Sequence, residues 1–200
     1  MKKLFFTTIL IFFSSVIASQ DIKMGLFLSP SINSININDF ENGKKKIALN
    51  YGYIIEYAFS ENHFLESGFE ISKKSGEINN ISYKSHYFVL PIQVKMKSRP
   101  FGYLTYYAKT GPSFGVKIRD NVEGDNENLN NENLNYGEGT SLMLMLNVSI
   151  GTEYSLKQES SLFAEIFIKN GITKGWQDTG AFSYDTFLMN QLGLSVGFLF

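Results

Sequence analysis

Between Leu49 and Phe59 the side chains alternate without a break: Leu49, Tyr51, Tyr53, Ile55, Tyr57 and Phe59 on one parity, Asn50, Gly52, Ile54, Glu56 and Ala58 on the other. A strand turns successive side chains to opposite faces, so a period of two specifies a sheet whose faces meet different surroundings. The same split returns as Phe88, Leu90, Ile92, Val94, Met96 against Tyr87, Val89, Pro91, Gln93, Lys95, and as Leu142, Leu144, Leu146, Val148, Ile150 against Met143, Met145, Asn147, Ser149, Gly151. It returns again as Leu192, Leu194, Val196, Phe198, Phe200 against Gln191, Gly193, Ser195, Gly197. Weaker forms occupy residues 22–32, 64–74, 101–116 and 161–169, which makes eight strands.

The connections between these segments alternate in length. Residues 33–46, 117–139 and 170–183 are long, 75–82 is intermediate, and 60–63, 98–100 and 156–160 are short. Up-and-down barrels of the outer membrane have short periplasmic turns and longer external loops, and an even strand number returns both termini to the periplasm. Roughly ten residues per strand at a steep tilt is enough to cross a bilayer. The expected fold is therefore all-β, an eight-stranded antiparallel up-and-down transmembrane barrel.

Export is written at the start of the chain. Lys2 and Lys3 precede an apolar run from Leu4 to Ile17, followed by small residues around Ala18. This reads as a signal peptide over residues 1–19 and a barrel domain over 20–200. The run is too short for the roughly 18 to 20 apolar residues of an uncleaved membrane helix. A net charge of −1, which falls by two to −3 once Lys2 and Lys3 leave with the leader, offers no basic surface for nucleic acid. The chain has no cysteine and only two histidines, which argues against disulfides, thiolate zinc sites, metal centres and resident cofactors.

Alternation alone does not say which face points outward, so an exported soluble barrel of the lipocalin kind, apolar inside, is the rival architecture. Three features oppose it: one parity is nearly free of charge, the connections alternate short and long, and aromatic residues gather at the strand ends near the short turns. Tyr57, Phe59, Tyr154, Phe198 and Phe200 fit a girdle at the lipid headgroups, where an apolar ring with a polar edge is at home. Trp176 sits in a late loop rather than on the first strand, where lipocalins typically carry a Gly-x-Trp motif.

Tyr87-Phe88-Val89-Leu90-Pro91-Ile92-Gln93-Val94-Lys95 resembles the fourth-strand motif (aromatic, x, x, aliphatic, Pro, aliphatic, x, x, Lys) of the PorT-like and OmpX-like small outer-membrane β-barrels. Gly111-Pro112-Ser113-Phe114-Gly115 resembles that family's second recurring segment, and the alternation from Gly193 to Phe200 is similar to the C-terminal signal read by the outer-membrane insertion machinery. The resemblance implies an eight-stranded barrel in the outer membrane of a Gram-negative bacterium and, for some members, a part in protein secretion or gliding. It implies no catalytic residue. Independently of it, Pro91 in mid-strand lacks a ladder donor and is expected to mark a bulge, because a closed barrel has no free edge.

The parity expected to face inward collects Lys23, Lys95, Lys97, Lys109 and Lys169 with Glu56, Glu66, Glu70, Glu153 and Glu165. Five charges of each sign suit a salt-bridged filling of a lumen that eight strands leave only wide enough for side chains. An ion path or an acid/base pair is the competing reading. Ser85 and His86 invite comparison with small barrel enzymes that use a Ser/His pair, but adjacent strand residues point to opposite faces and do not share a proton, so no enzyme is expected. His63 falls in a short turn. The loop at 117–139 holds a tandem repeat, Asn126-Glu127-Asn128-Leu129-Asn130 and Asn131-Glu132-Asn133-Leu134-Asn135, too polar to build a core. Its acids lack the EF-hand spacing of a calcium site, so a solvated external loop is the simpler reading.

The sequence thus leads us to expect an outer-membrane barrel with a filled lumen and a structural or interaction role through its external loops. Its partners would be outer-membrane lipid, the insertion machinery through Phe200, and proteins met at the loops. A secretion accessory and a small channel are the alternatives.

Overall fold

The computed structural model describes residues 22–37, 46–78, 81–124, 142–156, 160–173 and 187–200. They form eight strands: β1 (Ile22–Ile37), β2 (Lys46–Ser60), β3 (His63–Ile78), β4 (Ile81–Lys97), β5 (Leu104–Gly124), β6 (Leu142–Ser155), β7 (Ser161–Gly171) and β8 (Phe187–Leu199). Each pairs antiparallel with its sequence neighbour, and β8 returns to β1 to close the barrel. Closure includes the end of the chain, where Met24 and Phe200 exchange backbone bonds of 2.9 and 2.7 Å.

The barrel is apolar outside and polar inside. Leu194 and Ile150 are 55% and 62% exposed, and the outward parity of every strand is dominated by Leu, Ile, Val and aromatic residues. The buried set contains Asn50, Glu56, Glu66, Glu70, Lys95, Lys109, Asn147, Gln191 and a run of serines. A lipocalin-like barrel has the reverse arrangement. All strands but β7, at 13 to 21 residues, exceed the roughly 9–11 residues of a tilted crossing.

Four cross-strand pairs fill the lumen in the same way. Phe27 lies beside Gly52, Tyr107 beside Gly151, Phe163 beside Gly197, and Phe167 beside Gly193. A methyl group built on any of these glycines meets the partner ring at 3 Å or less. Each ring therefore lies over the bare backbone of the neighbouring strand, where a Cβ would stand, and large residues fit a narrow barrel only because small ones face them.

Some expectations need correction. Within the expected connection at 75–82, residues 75–78 and 81–82 are strand: Ser75 pairs with Lys84, Gly76 with Tyr83, Glu77 with Ser82 and Ile78 with Ile81. The first part of the expected 117–139 loop is strand β5, with Asn121 opposite Lys84 and Glu123 opposite Ser82. Residues 33–37 likewise extend β1. Phe101 stands in the turn before β5, bridged to Leu104. No bulge forms at Pro91. The register runs unbroken past it on both sides, Pro91 standing opposite Ser113, while the irregularity of β4 against β5 falls at His86/Tyr87. The missing donor is tolerated because the β3–β4 ladder omits two residue pairs there, Gly68 with Pro91 and Phe69 with Leu90, beside Gly68 with φ of 141°, and Ser67 Oγ donates to the Pro91 carbonyl at 2.9 Å. The tandem repeat, Trp176 and the leader lie outside the described residues.

Two measurements check this architecture. Because closure pairs the wall from β1 round to β8, the folded protein is expected to resist SDS at room temperature and to change mobility after boiling; identical mobility counts against the closed barrel. Gly197→Ala drives a methyl into the Phe163 ring and the Leu26 carbonyl and is expected to cost about 1–3 kcal/mol as overpacking, read as a lower midpoint of that heat transition.

Candidate functional site

The lumen floor near the short turns is one connected ion-pair network. Alternation on β4 aims Lys95 and Lys97 inward, two residues apart, where they meet carboxylates from β2, β3 and β6. Lys95 Nζ lies 2.6 Å from Glu56 Oε2, 2.5 Å from Glu153 Oε1 and 3.4 Å from Glu66 Oε2. Lys97 Nζ closes the ring, 2.5 Å from Glu56 Oε1 and 3.0 Å from Glu153 Oε2. One level further in, Lys109 joins Glu66 at 2.6 Å to Glu165 at 2.9 Å. The Tyr107 hydroxyl donates to Glu165 at 2.8 Å, and the Tyr107 ring lies 4.2 Å from the Lys95 ammonium. Glu56 and Lys95 are each 1% exposed, so the charges are held by each other rather than by water.

Lys169 and Glu70 form a separate pair, with the ammonium 2.6 and 2.5 Å from the two carboxylate oxygens. Around and beyond it the filling combines neutral polar side chains with a buried apolar cluster of Tyr87, Val89, Met143 and Met145. Gln191 donates to Asn33 at 2.7 Å, Asn33 donates to the Lys73 carbonyl at 3.1 Å, and Ser113 donates to Asn147 at 3.2 Å. It is the Lys169–Glu70 pair that spans the bore, joining β7 to β3 on the opposite wall, and this measures how narrow the barrel is.

Lys23 stands apart from the network. It is half-buried at the mouth of a cavity of about 250 Å³ beside Glu61, Phe64, Lys97, Glu153 and Ser161, and makes no ion pair among the described residues. Sequence reasoning overlooked Lys74, which shares the parity of Glu66 and Glu70 and is only 3% exposed, its ammonium 3.6 Å from Met145 Sδ. Counting parity further along β3 would have found it. Ser85 is buried in the lumen and His86 faces outward, so no proton passes directly between them. His63 is exposed beside Phe59, ring centroids 6.0 Å apart. Tyr57, Phe59, Tyr154, Phe198 and Phe200 all stand exposed at the short-turn end, where Phe101, Tyr103 and Tyr106 extend the aromatic collar.

The sequence matches the family model described as outer membrane protein beta-barrel domain over residues 18–174. No curated relative matches it. Among solved structures it is similar to Neisserial surface protein A, at 7% identity over 87% of this chain and 95% of that one, with a TM-score of 0.54. It is also similar to the outer membrane protein OprG from Pseudomonas aeruginosa, at 11% identity over 90% of this chain and 94% of that one, with a TM-score of 0.50. These likenesses show the fold, a small outer-membrane barrel.

Removing the hub ammonium leaves Glu56 and Glu153 buried with Lys97 alone to neutralise them. Lys95→Ala is expected to destabilise by about 3–5 kcal/mol without creating an activity. Denaturant unfolding in detergent measures it, and a loss under about 1 kcal/mol means that water reaches the site.

Proposed function

The chain belongs to the outer membrane protein beta-barrel domain family, and on that premise we propose that it is a non-catalytic barrel with a closed lumen, acting through the connections at the rim opposite its short turns. Both termini face the periplasm in this reading. The observation that carries it is the ring of Lys95 and Lys97 with Glu56 and Glu153, backed by Lys109 with Glu66 and Glu165. An ion crossing the barrel has to break several buried pairs at once, each costly to part in a low dielectric. The rigid wall is therefore an anchor, and recognition falls to the segments joining β1 to β2, β5 to β6 and β7 to β8.

A second reading, a periplasm-facing accessory of a secretion apparatus, draws on the polar mouth at the short-turn end, where Lys23, Glu61, Lys97 and Glu153 border an open cavity. Outer-membrane lipid on the wall, with the aromatic collar at headgroup level, and insertion machinery that reads Phe200 are common to both.

Protease added to intact cells separates the readings by topology. Cleavage is expected within 125–141, sparing the turns at 60–63 and 98–103, and a deletion confined to 125–135, which leaves β5 whole, is expected to keep heat-modified migration. Loss of surface binding in that deletion supports the first reading; unaltered secretion activity supports the second. Cleavage at the short turns inverts the orientation and removes the first reading. The purified protein is expected to give no discrete conductance in planar bilayers.

A further inference from the structure

The wall outside the lumen carries an unusual feature at its far rim. Alternation along β5 places Tyr107, Lys109, Ser113 and Gly115 inside, and its continuation would carry Arg119 inside as well. The structure does otherwise. Tyr87 pairs with Lys117 and His86 with Arg119, so Ile118 is an extra residue, a bulge that re-aims the residues after it. Arg119 is exposed, and it comes to lie abreast of His86, which is itself abreast of Lys73 on β3. Three nitrogen-bearing side chains thus form one row across three adjacent strands, about 10 Å wide at two strand spacings.

Among the described residues neither Lys73 nor Arg119 has a carboxylate within ion-pair distance, and the buried Nδ1 of His86 has no hydrogen-bond partner. Glu70, the nearest acid before Lys73 on β3, is bound to Lys169 inside. Asp120 takes the register position opposite lumen-facing Ser85, and Glu77 and Glu123 come four residues beyond the row. On the other side lies apolar wall, with Ile71, Phe88 and Val116 at the next outward level.

The height of the row is informative. From Met96, level with the aromatic collar, to His86 is ten residues of β4, or about 34 Å along the strand at ~3.4 Å per residue. At a tilt of ~40° that is about 26 Å of height, close to the ≈ 25 Å apolar band of an outer-membrane barrel. The row therefore stands where acyl chains end and headgroups begin, on the leaflet opposite the short turns.

We infer that Lys73, His86 and Arg119 form a binding site on the outer wall for the phosphate of a phosphorylated glycolipid of the outer leaflet, the acyl chains lying along Ile71, Phe88 and Val116. The leaflet assignment rests on the topology proposed above. A guanidinium presents paired donors that fit phosphate oxygens, and an ammonium adds a point charge from the other side. The bulge has a purpose on this account, since it sets Arg119 rather than Ile118 opposite His86.

The test uses the full barrel in nonionic detergent, titrated with diphosphoryl lipid A, with bound lipid counted by native mass spectrometry. Retention of diphosphoryl lipid A is expected to exceed that of dephosphorylated lipid A, and K73Q/R119Q is expected to weaken it by about tenfold or more. R99Q, at the short-turn end, is expected to leave it unchanged. Equal retention of the dephosphorylated lipid shows apolar contact alone and overturns the site. So does equal retention of phosphatidylglycerol, or displacement by millimolar inorganic phosphate, which marks a free-ion site. The comparison of lipids needs no variant, so it decides even if K73Q/R119Q does not fold. Binding in detergent is blind to orientation, whereas protease cleavage on cells reads orientation alone, so the site and the topology fail separately.

Discussion

Everything in this barrel depends on the pairing of β1 with β8. In hydrocarbon no water is available to bond an open sheet edge, and each unsatisfied backbone group costs several kcal/mol, so strands cross a membrane only as a closed cylinder. The last bonds of that cylinder join Met24 to Phe200. Closure at eight strands then fixes a bore with room for side chains and little else. The contents of the lumen are a consequence of that circumference.

Two solutions fill the bore. Where rings occupy it, Gly52, Gly151, Gly193 and Gly197 give up their own side chains to Phe27, Tyr107, Phe167 and Phe163. Where charges occupy it, the ammonium groups of Lys95, Lys97 and Lys109 are each shared between carboxylates from different strands. Ion pairs of this kind add little net stability over a well-packed apolar filling, since desolvation offsets much of the Coulomb gain. Their effect is on register. A slip of any strand by one residue turns its whole inward set outward, and with Glu56, Lys95 or Glu153 it would drive a charge into lipid. The network therefore penalises wrong pairings more than it stabilises the right one.

The period of two made the wall legible, because lipid outside and a polar lumen inside impose opposite demands on neighbouring residues. Strand number and topology, and the charges of Glu56, Glu66, Lys95, Lys97 and Glu153, were readable from parity alone. Partner choice was not. Lys109 joins the floor cluster and Lys23 does not, because shear between strands decides which inward positions share a level. The extent of the strands was also hidden: the polar stretches 75–78, 81–82 and 117–124 lack the apolar alternation and yet keep their backbone ladder. Pro91 misled because two omitted ladder pairs beside Gly68 are as good a remedy as a bulge. The bulge at Ile118 has no signature in its own residues and shows only in the pairing of His86 with Arg119.

Charge balance in the lumen closes level by level. The floor pairs Lys95, Lys97 and Lys109 with Glu56, Glu66, Glu153 and Glu165, three cations against four carboxylates. Lys23, beside Glu153 and Lys97 at the cavity of the same end, makes four of each sign. Further up, Lys169 is matched by Glu70 alone. Lys74 adds no ion pair among the described residues: its nitrogen sits 3.6 Å from Met145 Sδ, in surroundings where an unpaired charge is costly to bury. The charges that fill the bore are therefore those that find a partner at their own level, since parting opposite charges in a low dielectric costs far more than in water.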